Sequence, residues 1–370
     1  MAAPPQTLPP LKLFMTADAV GGVFTYALDL AKGLATHGVT TTLALLGPSP
    51  TPAQRERAAD IPGLRLVETH LPLDWLAEDR RAADQAASEI AALAEFYHAD
   101  IVHLNTPSLA CDHYHCPVVV ALHSCLASWW AAVKQGPMPP DFRWRTELMA
   151  YGLRCADARV CPSAALAGEA GRIYGRLPSV VHNGRSMPPE LRAEKHAPYV
   201  LSTGRLWDEG KGLATLAAAA SVIDLPVVVA GPVHGPNGSR AATDHIVTLG
   251  TLEEAEMRRR LAEGPVFVST ALYEPFGLGV LEAAQAGCGL VLSDIPSFRE
   301  LWSGAALFAA PRDPMAFAVA VNQLAGDCEL CRRLGMAARE RAGRYTVEAM
   351  ASKMMEIYAG LAAGRKGAAA

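Results

Sequence analysis

Glu274 and Glu282 stand with seven residues between them in the run Tyr273-Glu274-Pro275-Phe276-Gly277-Leu278-Gly279-Val280-Leu281-Glu282-Ala283-Ala284. Pro275 fixes a turn. Gly277 and Gly279 let backbone approach a ligand with no Cβ in the way. The N–H groups that follow open a helix, and such an end favours an anion such as a diphosphate. Glu274 lies before that helix and Glu282 about two turns inside it, so two carboxylates bracket an anion-binding turn at different depths. The competing reading is a plain helix start with acidic surface and a core-packing Phe276. A second run, Gly204-Arg205-Leu206-Trp207-Asp208-Glu209-Gly210-Lys211-Gly212, follows a strand-like segment. Arg205 offers a planar fork of donors and Lys211 a compact charge. If both converge on a diphosphate, they stabilise the negative charge that grows on it as its bond to a transferred group breaks. A solvated mixed-charge turn is the alternative for this run.

The elements that must position these groups alternate between strand-like and helix-like, which predicts parallel sheets covered by helices. In the first unit Leu11–Thr16 is a strand, Gly21-Gly22 a turn, and Phe24, Ala27, Leu28, Ala31, Leu34 and Ala35 recur at helical spacing up to Gly38. Thr41–Leu46, Ile101–Leu104, Val118–Leu122, Ala158–Cys161 and Val180–His182 continue the first sheet. Tyr199–Ser202, Val227–Ala230, Ile246–Leu249, Val266–Ser269, Gly289–Leu292 and Ala306–Phe308 form a second, with helices at Lys211–Val222, Glu253–Glu263 and Gly277–Ala286. Two further helices, roughly 313–343 with a break and 346–362, end the pattern. The division expected is a tail at 1–10, a first Rossmann-like domain at 11–185, a linker at 186–197 around Pro188-Pro189, a second Rossmann-like domain at 198–345, a helix at 346–364 returning to the first domain, and a tail at 365–370. Two such open sheets face each other across one cleft at the carboxyl ends of their strands.

Composition narrows the chemistry. The chain has 370 residues and a formal net charge of -4, with 51% hydrophobic residues. That suits two globular domains and offers no basic excess for nucleic acid. The Ala/Pro-rich start has no signal-peptide pattern, and no apolar run is long enough to span a bilayer, so the cytoplasm is expected. The eight cysteines are then free thiols. Cys328-x-x-Cys331 has no second pair at zinc spacing. The cluster Cys111-Asp112-His113-Tyr114-His115-Cys116 reads more simply as a surface loop than as a metal site. No metal and no cofactor are expected.

Taken in order, these motifs resemble the retaining GT-B glycosyltransferases of family four (glycosyl transferases group 1), over about residues 11 to 362. The seven-residue spacing of Glu274 and Glu282 matches that family's signature, and Arg205 with Lys211 its basic pair. Gly21-Gly22 matches its N-terminal glycine loop and His123-Ser124 its cleft histidine. Asn183-Gly184 matches the end of its first domain, Cys161-Pro162-Ser163 a usual strand end, and Ser293-Asp294-Ile295-Pro296 with Arg299-Glu300 the stretch after the signature. The resemblance implies a fold of two Rossmann-like, doubly wound parallel-sheet domains. It implies that Arg205 and Lys211 hold the donor diphosphate, that Glu274 contacts the transferred sugar and that Glu282 binds ribose hydroxyls. Backbone at Phe276, Gly277, Leu278 and Gly279 would meet the sugar and diphosphate, Gly21 and Gly22 would close on the phosphate, His123 would lie over the sugar, and Asn183 would line the cleft. The implied reaction is metal-independent transfer of a hexosyl group, with retention, from a nucleotide diphosphate sugar to a hydroxyl acceptor. A UDP-sugar is favoured, and the acceptor (sugar, glycoside or lipid-linked) is unidentified. A sugar-nucleotide epimerase, a phosphorylase and a non-catalytic nucleotide-sugar-binding protein share the architecture. A dinucleotide enzyme is disfavoured, because Ala19-Val20-Gly21-Gly22-Val23 lacks the Gly-x-Gly-x-x-Gly pattern.

The acceptor is expected on the N-terminal side. Three of the six tryptophans lie in Trp129, Trp130 and Trp144, directly after His123. Indole faces stack on sugar rings and also suit membrane interfaces. Trp129, Trp130 and Asn105 are the acceptor-facing candidates. Helix packing is the plainer alternative for the tryptophans, and peripheral membrane contact is left open.

Overall fold

The computed structural model describes residues 11–186, 198–235 and 238–368. The N-terminal sheet contains β1 (Lys12–Asp18), β2 (Thr40–Leu46), β3 (Leu64–Glu68), β4 (Ile101–Leu104), β5 (Val118–Ala121), β6 (Ala158–Cys161) and β7 (Ser179–Val180). Their order is β3-β2-β1-β4-β5-β6-β7, with every pair parallel. The C-terminal sheet contains β8 (Val200–Thr203), β9 (Val227–Ala230), β10 (Val247–Thr248), β11 (Val266–Ser269), β12 (Gly289–Ser293) and β13 (Leu307–Ala309). Its order is β10-β9-β8-β11-β12-β13, again all parallel. Each sheet starts near its middle, winds outward on one side and then on the other. The order therefore reverses beside β1 and beside β8, and the loops leaving those strands part to make a crevice. This is the doubly wound α/β architecture in two copies.

The strand sequences explain the layering. Parallel strands buried on both faces need continuous apolar runs, and Val118–Ala121 is buried at all four positions. In β1 the alternation of side chains separates two cores. Leu13 and Met15 pack with Phe24, Leu28 and Leu34 of the helix Gly22–Ala35, while Phe14 packs on the other face with Ile90, Val102 and Leu104.

The last helix, Val347–Ala368, belongs to the first of these cores. Met350, Ala351, Met354 and Tyr358 are buried among the β1 and Gly22–Ala35 side chains. A Cβ on Gly33 would fall 2.7 Å from that of Ala351, so the two helices meet where a side chain is missing. Burying a Met or Tyr of this size stabilises the contact by about 1.5–3 kcal/mol each. The chain thus leaves the N-terminal sheet, builds the C-terminal one and returns.

Several expectations shift. Strand β3 was not anticipated: Arg65 and Glu68 interrupt its apolar residues, and it is a half-exposed sheet edge. The helix expected from Lys211 is divided. A 3-10 turn covers Glu209–Lys211, Gly212 is left-handed at φ +65°, and the helix proper is Leu213–Ala220. The final helix runs to Ala368, past the end expected at 364. Most of the proposed linker, residues 187–197, lies outside the described residues, as do 1–10 and 369–370.

Candidate active site

On the C-terminal side the site is built from the ends of β8 and β11. After β11 the chain turns through Glu274–Gly277 into the helix Leu278–Gln285. Gly277 caps that helix at φ +88°, a conformation open to glycine. Phe276 is buried and anchors the turn edge-on to Tyr345, with ring centroids 5.6 Å apart. The Ser297 hydroxyl donates to the Glu274 carbonyl at 2.5 Å. A Cβ on Gly279 would lie 2.5 Å from Thr203 Oγ1, so the first turn of the helix sits directly against the end of β8. Lys211 Nζ is 2.5 Å from Glu274 Oε2, and both side chains are mostly buried. Arg205 leaves the same strand end, and its Nη2 donates to Asp208 Oδ2 at 3.1 Å. The basic pair and the first carboxylate of the signature therefore share one crevice with an open helix end.

On the N-terminal side the glycine loop faces them. A Cβ on Gly21 would lie 3.6 Å from Arg205 Cδ and Nη1, and one on Gly22 would lie 3.3 Å from Leu278 Cδ1. Asp18, at the end of β1, accepts from the Val20 amide at 2.8 Å. Burial raises its carboxyl above the ordinary range, Arg205 pulls it back, and Asp74 pushes it further up.

His123, just after β5, is held by a buried chain of hydrogen bonds. Asn105 Nδ2 donates to the Thr16 carbonyl at 2.6 Å, so Asn105 Oδ1 is the acceptor for both His123 Nε2 at 2.7 Å and His103 Nε2 at 3.2 Å. Both rings are then protonated at Nε2. His103 Nδ1, 2.6 Å from Tyr358 Oη, accepts from that hydroxyl. Burial lowers the His123 pKa to about 3, helped by His103, and lowers that of His103 to about 4. His123 is therefore neutral near pH 7, with Nδ1 as a lone-pair acceptor and its ring edge-on to Tyr26 at 4.4 Å.

Two consecutive family models match the chain. One, described as Glycosyltransferase Family 4, covers residues 20–186. The other, Glycosyl transferases group 1, covers residues 197–327. The chain belongs to the group 1, family 4 glycosyltransferases. Alpha-maltose-1-phosphate synthase of Mycolicibacterium smegmatis is 26% identical over 309 residues, or 70% of this chain and 79% of that protein. The structure of sucrose-phosphate synthase from Thermosynechococcus elongatus superposes with a TM-score of 0.78 at 18% identity, covering 96% of this chain and all of that one. Anabaena HepE in complex with UDP-glucose superposes with a TM-score of 0.74 at 18% identity, covering 95% and 100%. The fold is thereby GT-B.

The remaining sequence candidates of this glycosyltransferase fall in different places. Glu282 lies on the inward helix, 2.8 Å from Arg185. Arg185 also pairs with Asp29 at 2.7 Å and Glu254 at 3.3 Å. Burial raises the carboxyls of Glu282 and Asp29, and Arg185 opposes both shifts. Asn183 is buried just ahead of Gly184 and Arg185. Of the acceptor candidates, Asn105 has its amide engaged with Thr16, His103 and His123, as described. Trp129 donates to Asp208 Oδ1 at 3.0 Å, across the cleft. Trp130 donates to the Gly136 carbonyl at 3.2 Å, and its ring meets Phe142 at 5.6 Å.

Sequence reasoning missed Asp18, Arg185 and Asp208. Asp18 carried a usable signal, an acid at the carboxyl end of the first strand. Asp208 stood inside the quoted basic run. Arg185 directly follows Asn183-Gly184, at the last position before the expected linker. All eight cysteines are free thiols. No described helix is long and apolar enough to cross a membrane.

Proposed function

We propose that this glycosyltransferase moves a hexosyl group from a UDP-sugar to a hydroxyl acceptor, with retention and without a divalent metal. The observation that carries the reading is the convergence of Arg205, Lys211, Glu274 and the open end of the helix Leu278–Gln285 opposite Gly21-Gly22. Two cations and a row of backbone amides supply the charge that a metal would otherwise bring to the diphosphate. Glu274 accepts from the sugar hydroxyls, and Glu282, whose Oε1 is paired with Arg185, accepts from the ribose through Oε2. The solved complex of HepE with UDP-glucose, a protein of the same fold, supports the choice of donor.

In the reaction the bond from the anomeric carbon to the diphosphate oxygen breaks as Arg205 and Lys211 take up the growing charge. The acceptor hydroxyl attacks the anomeric carbon from the same face. Its proton passes to the departing phosphate oxygen. His123, neutral and hydrogen-bonded through Nε2, orients the sugar through Nδ1 or its carbonyl. With its pKa held near 3 it is too weak a base to take that proton.

Calorimetric titration with UDP, GDP and ADP, followed by turnover of the matching glucose donor, tests the reading. UDP is expected to bind most tightly, EDTA to leave turnover unchanged, and the product's anomeric proton coupling to match the donor's configuration. Inversion at the anomeric carbon, or complete loss of activity in EDTA, overturns it. Lys211→Ala and Glu274→Ala should each lose at least about 100-fold in kcat/KM.

A further inference from the structure

One helix of the N-terminal domain is fastened to the donor-binding turn at several points. The helix Leu126–Val133 begins three residues after His123. Trp129 Nε1 donates to Asp208 Oδ1 at 3.0 Å. The same oxygen accepts from the Gly210 amide at 2.8 Å, and the other carboxylate oxygen accepts from Arg205 Nη2 at 3.1 Å. The Asp208 side chain is 10% exposed, so its charge has left water and these donors replace the lost hydration. Arg205 is 39% exposed and extends past Trp207 and Gly21 toward the cleft. A long, partly solvated guanidinium needs a fixed partner to hold one direction, and Asp208 is that partner. Gly210 is part of the same fit, because a Cβ there would lie 2.8 Å from Trp129 Nε1 and 3.0 Å from Asp208 Oδ1.

We infer that Trp129 and Asp208 form a positioning relay: docking of the N-terminal helix fixes one oxygen of Asp208, and the other oxygen then aims Arg205 at the donor diphosphate. The relay rests on the donor reading given above. It assigns Trp129 a task through Asp208 and not through an acceptor ring. It also makes the grip on the diphosphate depend on the two domains being together, so the basic pair is complete only when the cleft is assembled.

UDP binding by calorimetry, and UDP release from UDP-glucose in water with no acceptor added, test this directly. An acceptor-stacking role of Trp129 cannot affect either measurement. Trp129→Phe and Asp208→Asn are each expected to raise the dissociation constant for UDP five- to tenfold and to slow UDP release about tenfold. The double variant is expected to stay within twofold of Asp208→Asn, because both residues act on one guanidinium. Gly210→Ala, which displaces the indole without touching the core, should reproduce the loss. Lys134→Ala, which breaks an exposed pair with Glu209 and removes an ammonium 5.7 Å from the Trp129 ring centroid but leaves the Trp129–Asp208 bond in place, should change UDP affinity less than twofold.

The relay is overturned by a Trp129→Phe protein equal to wild type in both measurements. It is also overturned by losses that multiply in the double variant, or by a Lys134→Ala loss as large as that of Trp129→Phe. Wild-type protein that binds neither UDP, GDP nor ADP overturns the donor reading and the relay with it. Wild-type binding with an unaffected Trp129→Phe overturns the relay alone.

Discussion

The two domains meet along two seams of opposite chemistry. At the back, Arg185 is almost buried and holds Asp29 from the N-terminal domain together with Glu254 and Glu282 from the C-terminal one. Arg57 reaches Glu254 from the other side at 3.1 Å. Glu300 accepts from the Ala164 and Ala165 amides at 2.8 Å each, closing the start of an N-terminal-domain helix. At the mouth, the contacts are polar and only partly buried, with an exposed ion pair among them. Lys134 pairs with Glu209, Arg312 donates to the Val133 carbonyl at 2.7 Å, and Ser128 shares a hydrogen bond with Tyr273 at 2.7 Å. Buried charges cannot separate without each being left uncompensated, whereas exposed pairs exchange with water at little cost. The back seam should therefore cost more to break than the mouth seam.

The sharpest way to break that contrast is Arg185→Met. It leaves Asp29, Glu254 and Glu282 around an apolar side chain and should cost about 3–5 kcal/mol in denaturant unfolding. A loss below about 1 kcal/mol would erase the distinction between the seams. Next comes Tyr358→Phe, which deprives buried His103 of its donor. The expected loss is about 1–3 kcal/mol, with turnover reduced because the chain through Asn105 to His123 loosens.

Acid should act through the same chain. The unfolded histidines titrate near pH 6.5, while His103 and His123 stay neutral in the fold until about 4 and about 3. Between those values the unfolded state binds more protons, so this contribution to stability is present above pH 6.5 and is lost as pH falls toward 4. The raised carboxyls of Asp18, Asp29 and Glu282 work in the opposite direction. Melting temperature followed from pH 7 to 5 should fall less steeply in His103→Gln than in wild type. Equal slopes would remove His103 from the account. The smallest effect is expected for Lys134→Ala at the mouth, at most about 1 kcal/mol and diminished further by salt.

What the sequence made legible follows the range over which each feature is encoded. The buried strands are continuous apolar runs, and the Glu274–Glu282 and Arg205–Lys211 groups lie within single strand-turn-helix units, so local pattern was enough for them. Edge strand β3 escaped because a half-exposed edge has no strict pattern to show. Arg185 and Asp208 escaped because their meaning lies in distant partners: Asp29 stands 156 residues from Arg185 and Trp129 79 from Asp208. Trp129 was singled out for its ring face, and the structure shows in addition its indole N–H bonded to Asp208. Asn105, grouped with it, has its amide committed inside the domain.

The return of the final helix to the first domain has a mechanical consequence. The polypeptide passes between the sheets twice, and where it leaves the first domain, at Gly184–Arg185, it lies against the point of its return, at Tyr345–Thr346. The Arg185 amide donates to the Tyr345 carbonyl at 3.1 Å, and a Cβ on Gly184 would collide with the Thr346 carbonyl oxygen at 2.0 Å. A single passage would act as a swivel, free to twist. Where the two are fastened together, twisting of one domain against the other is resisted. That fastening should help return Gly21-Gly22 to Arg205 and Leu278 in the same register after any opening.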